Sequence, residues 1–176
     1  MTTLLGISGS LRKASTNTKL IRYAAEVFAP DAFVEANIDF QLYNGDVESE
    51  EGIPQAVQAL SDQIAAADAV IISTPEYNKA ISGALKNALD WVSRTEGNPW
   101  KDKPLAIMSA TAGRAGGERT QFSLRLAMMA FRPRILQGPE VLVAASSEAF
   151  NDDGKLKGDM YVKLMKELMG DLKALT

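Results

Sequence analysis

Apolar positions along the chain fall into two rhythms. Thr2 to Ser8 is a short apolar run closed by Gly9, and Ala69 to Ser73 (AVIIS) is another, stopped by Pro75. Uninterrupted runs of that length read as strands buried on both faces. Leu105 to Ser109 (LAIMS) and Val141 to Ala144 (VLVA) add two more, and Phe33 to Ile38 is a weaker fifth. Between them the period changes to that of a helix. Leu20, Ala24, Val27 and Phe28 make one apolar stripe; Val57, Leu60, Ile64 and Ala67 a second; Ile81, Leu85, Ala88 and Val92 a third. A fourth helix is predicted over Glu118 to Phe131, and Met160, Leu164, Leu168 and Leu172 close the chain in helical register. Pro54 suits the first position of the second helix. The stretch Gln41 to Gly52, with Glu48, Glu50 and Glu51, reads as a solvated loop.

Strands that alternate with helices imply right-handed crossovers and a parallel sheet covered on both faces. Five such units suit a doubly wound sheet better than an eight-unit barrel. The predicted fold is therefore three-layer α/β. With 176 residues, 46% of them hydrophobic, and no repeat, low-complexity tract or linker, residues 1–176 are expected to form a single domain.

Charge and composition narrow the function. A net charge of −3 and a pI near 5.1 leave no basic surplus for nucleic acid, which is not an expected partner. The opening MTTLLGISG lacks a charged start followed by a long apolar run, and no stretch approaches the roughly 18 apolar residues of a membrane helix, so a cytoplasmic protein without a membrane partner is expected. Cysteine is absent, which excludes disulfides and thiolate chemistry; histidine is absent too, which excludes Ser-His-Asp and Cys-His nucleophiles and Cys/His zinc sites. No metal and no catalytic side chain is expected. Chemistry, if present, comes from a bound organic cofactor.

In open parallel sheets, ligands bind beyond the carboxyl ends of the strands. Three loops leave such ends. GSLRKASTN, Gly9 to Asn17, is neither a dinucleotide fingerprint nor a Walker loop, because its glycines are Gly6 and Gly9 and no GK[ST] follows. It gathers anion donors: the hydroxyls of Ser10, Ser15, Thr16 and Thr18, the Asn17 amide, the Arg12 guanidinium and the N–H groups of a helix start. The set suits a terminal phosphate. An ordinary capping loop would carry many of the same residues, but a cation at the positive end of a helix is unfavourable unless an anion joins it, and Arg12 is there. TPEYN, Thr74 to Asn78, offers backbone polar groups to the edge of a flat heterocycle and Tyr77 to its face, although a lone Tyr is more commonly a surface or core aromatic. TAGRAGGE, Thr111 to Glu118, has Gly113, Gly116 and Gly117, which permit close approach to a ligand or simply a flexible turn.

Together, GSLRKASTN, TPEYNKAISGALKNALDWVSR and GGERTQFSLR, in that order, resemble the NADPH-dependent FMN reductase family, and within it the soluble chromate and quinone reductase branch. The resemblance implies a flavodoxin-like, five-stranded sheet of order 2-1-3-4-5, noncovalent FMN, NADPH or NADH as electron donor, and a small-molecule acceptor such as a quinone, chromate, a ferric chelate or an azo compound. By matching positions, Ser10, Arg12, Ser15, Thr16 and Asn17 would wrap the FMN phosphate, with Leu11 beside them. Pro75, Glu76, Tyr77, Asn78 and Lys79 would border the isoalloxazine, with Thr111 and Gly113 completing the wall. The chain departs from the branch at Lys79, where an aromatic is frequent, and at Ser82, where proline is common; both are expected to shape the acceptor side. In LKNALDW, the helical spacing of Leu85, Ala88, Leu89 and Trp91 points to core or subunit contact. Homodimers or homotetramers are implied, with Arg119, Gln121 and Arg125 expected on the shared surface. The competing readings are a one-electron flavodoxin-type carrier, for which a charge of −3 gives little steering field, and a non-catalytic nucleotide-binding module.

Overall fold

A computed structural model describes residues 1–176. Its strands are β1 (Thr3–Ser8), β2 (Ala32–Glu35), β3 (Ala69–Thr74), β4 (Pro104–Ala110), β5 (Arg134–Ile135) and β6 (Val141–Val143). Its helices are α1 (Thr16–Phe28), α2 (Gly45–Glu51), α3 (Gln55–Ala66), α4 (Gly83–Val92), α5 (Glu118–Met128) and α6 (Asp159–Lys173).

Every strand pairing is parallel, in the order β2-β1-β3-β4-β5, the doubly wound flavodoxin-like arrangement expected. The fifth place is split. Pro104 and Leu105 of β4 pair with β5, whereas Met108, Ser109 and Ala110 pair with β6 along the same outer strand. Between the two pieces lies Pro139, which has no N–H to give to a ladder.

Successive strand residues point to opposite faces, and here both faces are apolar. Leu4, Ala69, Ile71 and Met108 pack with Leu20, Ile21, Ala24 and Phe28 of α1 and Met165, Leu168 and Leu172 of α6. Leu5, Ile7, Val70, Ile72 and Leu105 pack with α3, α4 and α5 through Val57, Leu60, Ile64, Leu85, Trp91 and Leu124. Gly6 permits the close approach of β2: a Cβ there would stand 2.7 Å from the Phe33 ring.

The segment Gln41 to Gly52 is not the loop expected from sequence. It contains α2, capped by Asn44, whose side-chain oxygen accepts the Asp46 N–H at 3.0 Å. Glu48 takes the Tyr43 hydroxyl (2.8 Å) and the Arg94 Nε (3.0 Å), and Tyr43 stands edge-on to Trp91. The Gln41 carbonyl accepts the Trp91 indole N–H at 2.8 Å and an Asn87 amide N–H at 3.0 Å. Trp91 and Asn87 of the LKNALDW helix thus pin this segment to α4; Glu50 and Glu51 remain exposed. Pro54 caps α3 instead of occupying its first turn.

Candidate active site

The carboxyl ends of β1, β3, β4 and β6 open into one cleft of about 450 Å³, lined by Ser10, Arg12, Ala14, Ser15, Thr16, Asn17, Lys19, Pro75, Glu76, Tyr77, Ala110, Thr111, Ala112, Ser146 and Ser147. Nine of the thirteen predicted positions lie on that wall. Leu11, Asn78, Lys79 and Gly113 do not.

One end of the cleft is built to meet an anion. Ser15 is the cap of α1: its extended backbone turns the chain, and its hydroxyl oxygen accepts the N–H groups of Asn17 (3.2 Å) and Thr18 (3.3 Å). The hydroxyl proton is left to donate outward. The Thr16 hydroxyl reaches Ser146 Oγ at 3.2 Å. The first turn of α1 holds no acidic residue, and the exposed Arg12 forms no ion pair. A helix start whose Thr16 N–H has no partner, together with a free guanidinium and the Ser15 hydroxyl, fits a phosphate monoester.

Asn17 behaves differently from its neighbours. It is 3% exposed, its Nδ2 donates to the Ala110 carbonyl (3.0 Å), and its Oδ1 accepts the Ala110 N–H (3.0 Å) and the Ser73 hydroxyl (2.8 Å). The side chain expected to contact phosphate instead ties α1 to the ends of β3 and β4.

The second loop is held from behind. The Pro75 carbonyl accepts the Thr120 hydroxyl (3.0 Å), and Glu76 Oε2 accepts the Thr120 N–H (3.2 Å) at the start of α5, a favourable place for a carboxylate. Tyr77 and Ala80 exchange N–H···O bonds of 3.0 and 3.1 Å around Asn78 and Lys79, whose φ values of 50° and 67° are both left-handed. That pair forms the two-residue hairpin turn of the I′ kind. Asn78 and Lys79 are therefore the exposed tip of a turn, away from the cleft wall, while the half-exposed Tyr77 ring lines it. Ser82 caps α4 by accepting the Leu85 N–H (3.1 Å) and donates to the Gly9 carbonyl (2.5 Å), joining the second loop to the first.

In the third loop, Gly116 and Gly117 serve packing. A Cβ on Gly116 would lie 2.4 Å from the Leu142 carbonyl oxygen, and one on Gly117 2.7 Å from Ser109 Cβ. Gly113 is exposed and meets nothing. Thr111 lines the cleft, and its carbonyl accepts the Ser146 N–H at 3.0 Å. Sequence reading missed Ser146 and Ser147, although a hydroxyl pair just past the predicted VLVA strand was the available signal. Gln121 is buried and donates to Ser109 Oγ and the Val141 carbonyl, and Arg125 donates to the Leu136 carbonyl at 3.0 Å, so of the three residues expected on a subunit surface only Arg119 is exposed.

The family model described as NADPH-dependent FMN reductase matches residues 2–148. An NAD(P)H-dependent FMN reductase of Pseudomonas aeruginosa is 40% identical over 172 residues, covering 97% of this chain and 92% of its own. A quinone reductase of Escherichia coli K12 is 42% identical over 139 residues, covering 76% and 73%. Among solved structures, the flavoenzyme NAD(P)H:(acceptor) oxidoreductase FerB of Paracoccus denitrificans superposes with a TM-score of 0.88 at 30% identity, covering 99% of this chain and 97% of that one.

Proposed function

The chain belongs to the NADPH-dependent FMN reductase family, and from that premise we propose that its strand-end cleft seats FMN with the phosphate on the α1 start and the isoalloxazine against the second and third loops. The protein is an FMN-dependent NAD(P)H oxidoreductase that acts on quinones. FMN, when bound, supplies the redox chemistry by which electrons pass from NAD(P)H to the acceptor.

The chain's own residues bind and orient. Ser15 donates its hydroxyl and Thr16 its backbone N–H to the phosphate, and Arg12, whose guanidinium no carboxylate claims, closes on it by charge-assisted bonds. Ser146 and Ser147 extend the same wall, and Asn17 holds it in register with β3 and β4. Pro75, Tyr77 and Thr111 border the ring; Glu76 fixes the loop through Thr120. The observation that carries this reading is the convergence, in one cleft, of a helix start without acidic residues, an unpaired Arg12 and the Pro75–Tyr77 wall.

The test is a comparison of FMN with riboflavin. Charge-assisted bonds contribute about 1.5 to 3 kcal/mol, a factor of roughly 10 to 150 in affinity. Arg12→Ala should weaken FMN by that factor and leave riboflavin unchanged; equal weakening of both would remove Arg12 from the phosphate.

No helix is long and apolar enough to cross a membrane. A cytoplasmic setting is supported by the cysteine-free chain and the NAD(P)H donor, and the charge of −3 speaks against a nucleic-acid partner. Residues 1–176 act as one FMN-binding domain, their two cores lying on the two faces of one sheet. A homodimer is supported by α5, where Phe122, Leu126 and Met129, at i, i+4 and i+7, are 56%, 71% and 71% exposed and form one apolar stripe.

A further inference from the structure

We propose that the FMN cleft continues past the phosphate into a recess at the β2 edge of the sheet, and that this recess seats the adenylate half of FAD, so that the chain binds FAD as well as FMN. The inference rests on the FMN assignment above. The recess, about 310 Å³, shares with the cleft only Ser10 and Arg12, both at the phosphate end.

Sheet order gives the direction. Along the edge β2-β1-β3-β4, the ring wall belongs to the loops after β3 and β4, the phosphate to the loop after β1, and the recess to the residues that follow β2, Ala36 to Asp39. A group esterified to the flavin phosphate therefore leaves the cleft on the side where the recess begins.

The recess has the polarity of an adenosine diphosphate moiety. Lys13 is exposed and, like Arg12, forms no ion pair, so two free cations line the stretch that a diphosphate would occupy, in place of a glycine fingerprint. Arg22 and Glu35 are spent on each other through bonds of 2.7 and 2.9 Å. Asp39 is exposed and its carboxylate pairs with no cation, which leaves it to accept ribose hydroxyls. Asn37 Oδ1 accepts the Asp39 N–H at 2.9 Å and keeps a second lone pair beside the Nδ2 donors, a combination that matches the edge of adenine. Leu11, 53% exposed, and Ala36 offer apolar surface to the base. The adenosine diphosphate half of NAD(P)H carries the same groups, but the recess opens at the phosphate and not at the ring wall, which favours FAD, where that half is joined to the flavin phosphate itself.

The test equilibrates FMN-loaded protein with FAD, removes unbound flavin by filtration and identifies the bound flavin by chromatography. FAD should bind within about tenfold of FMN and more tightly than riboflavin; Lys13→Ala, and Ala36→Phe, which fills the recess, should each weaken FAD about tenfold or more and leave FMN within about twofold of wild type. An FAD affinity no better than that of riboflavin, or equal losses of FMN and FAD in these variants, overturns the proposal. A raised KM for NADPH in FMN-loaded Ala36→Phe with FAD affinity unchanged assigns the recess to the donor and overturns it too. If Ala36→Phe does not fold, Asp39→Ala decides the matter by the same selective loss of FAD. A wild-type protein that takes up no FMN fails the FMN reading; one that takes up FMN and refuses FAD fails this proposal alone.

Discussion

Replacing Asn17 by Ala removes one side chain that serves three buried groups. The Ala110 N–H, the Ala110 carbonyl and the Ser73 hydroxyl all lose their partner, and Ser73 and Ala110 are buried at the ends of the two central strands. A buried polar group left unpaired costs about 1–3 kcal/mol. The Ser73 hydroxyl can rotate toward another acceptor, which recovers part of the loss, so a destabilisation of roughly 3–5 kcal/mol follows. For a domain of this size that corresponds to a fall in Tm of roughly 10 °C. The assay is thermal and urea unfolding of the FMN-free protein, where ligand contacts play no part, beside titrations with FMN and riboflavin. Because Asn17 positions both the phosphate end and the ring end, its loss should weaken the two flavins alike, unlike Arg12→Ala. The reasoning fails if FMN-free Asn17→Ala is within about 1 kcal/mol of wild type and loses affinity for FMN alone; Asn17 would then be a phosphate ligand and not a strut.

If α5 forms the proposed homodimer contact, Leu126→Glu on its exposed stripe should yield monomer in light scattering where wild type gives twice the chain mass, while the FMN-loaded protein stays folded; an unchanged mass would move the interface elsewhere. Lys79 sits at φ 67°, which is strained for any residue with a Cβ, so Lys79→Gly should raise stability by about 0.5–1 kcal/mol after the added chain entropy is counted; a lower Tm would contradict the turn geometry. The Tyr43 hydrogen bond, aided by Arg94, holds the Glu48 carboxyl below the ordinary 4.5, and the same bond raises the Tyr43 phenol above 10.0. A depressed carboxyl lends stability above its unfolded value and loses it as pH falls through the folded one; a raised phenol lends stability below its unfolded value and loses it as pH rises through the folded one. Glu48→Gln should therefore cost stability near neutrality and nothing at pH values where glutamate is protonated, and equal losses at both would refute the pairing.

The residue order by itself determined the frame of this protein. Apolar runs such as AVIIS and LAIMS reveal β3 and β4 because burial on both faces demands unbroken hydrophobicity, and the helical stripes reveal α1, α3, α4 and α6 because each helix buries one face. The parallel order then puts Gly9 to Asn17, Thr74 to Asn78 and Thr111 at the same edge, which made most of the cleft wall legible. What it left open is the fate of individual polar groups. Asn17 reads as a phosphate donor until β4 arrives from 93 residues away to take its amide, and Thr16 meets Ser146 across 130 residues. Glu76 is claimed by Thr120, 44 residues on. The acidic helix α2 has no apolar period to announce it, and it stands because Tyr43, Glu48 and Gln41 find partners on or just beyond α4. Burial is a property of each position and leaves a rhythm in the chain. Hydrogen-bond pairing belongs to two positions at once, and only the folded sheet decides which two meet.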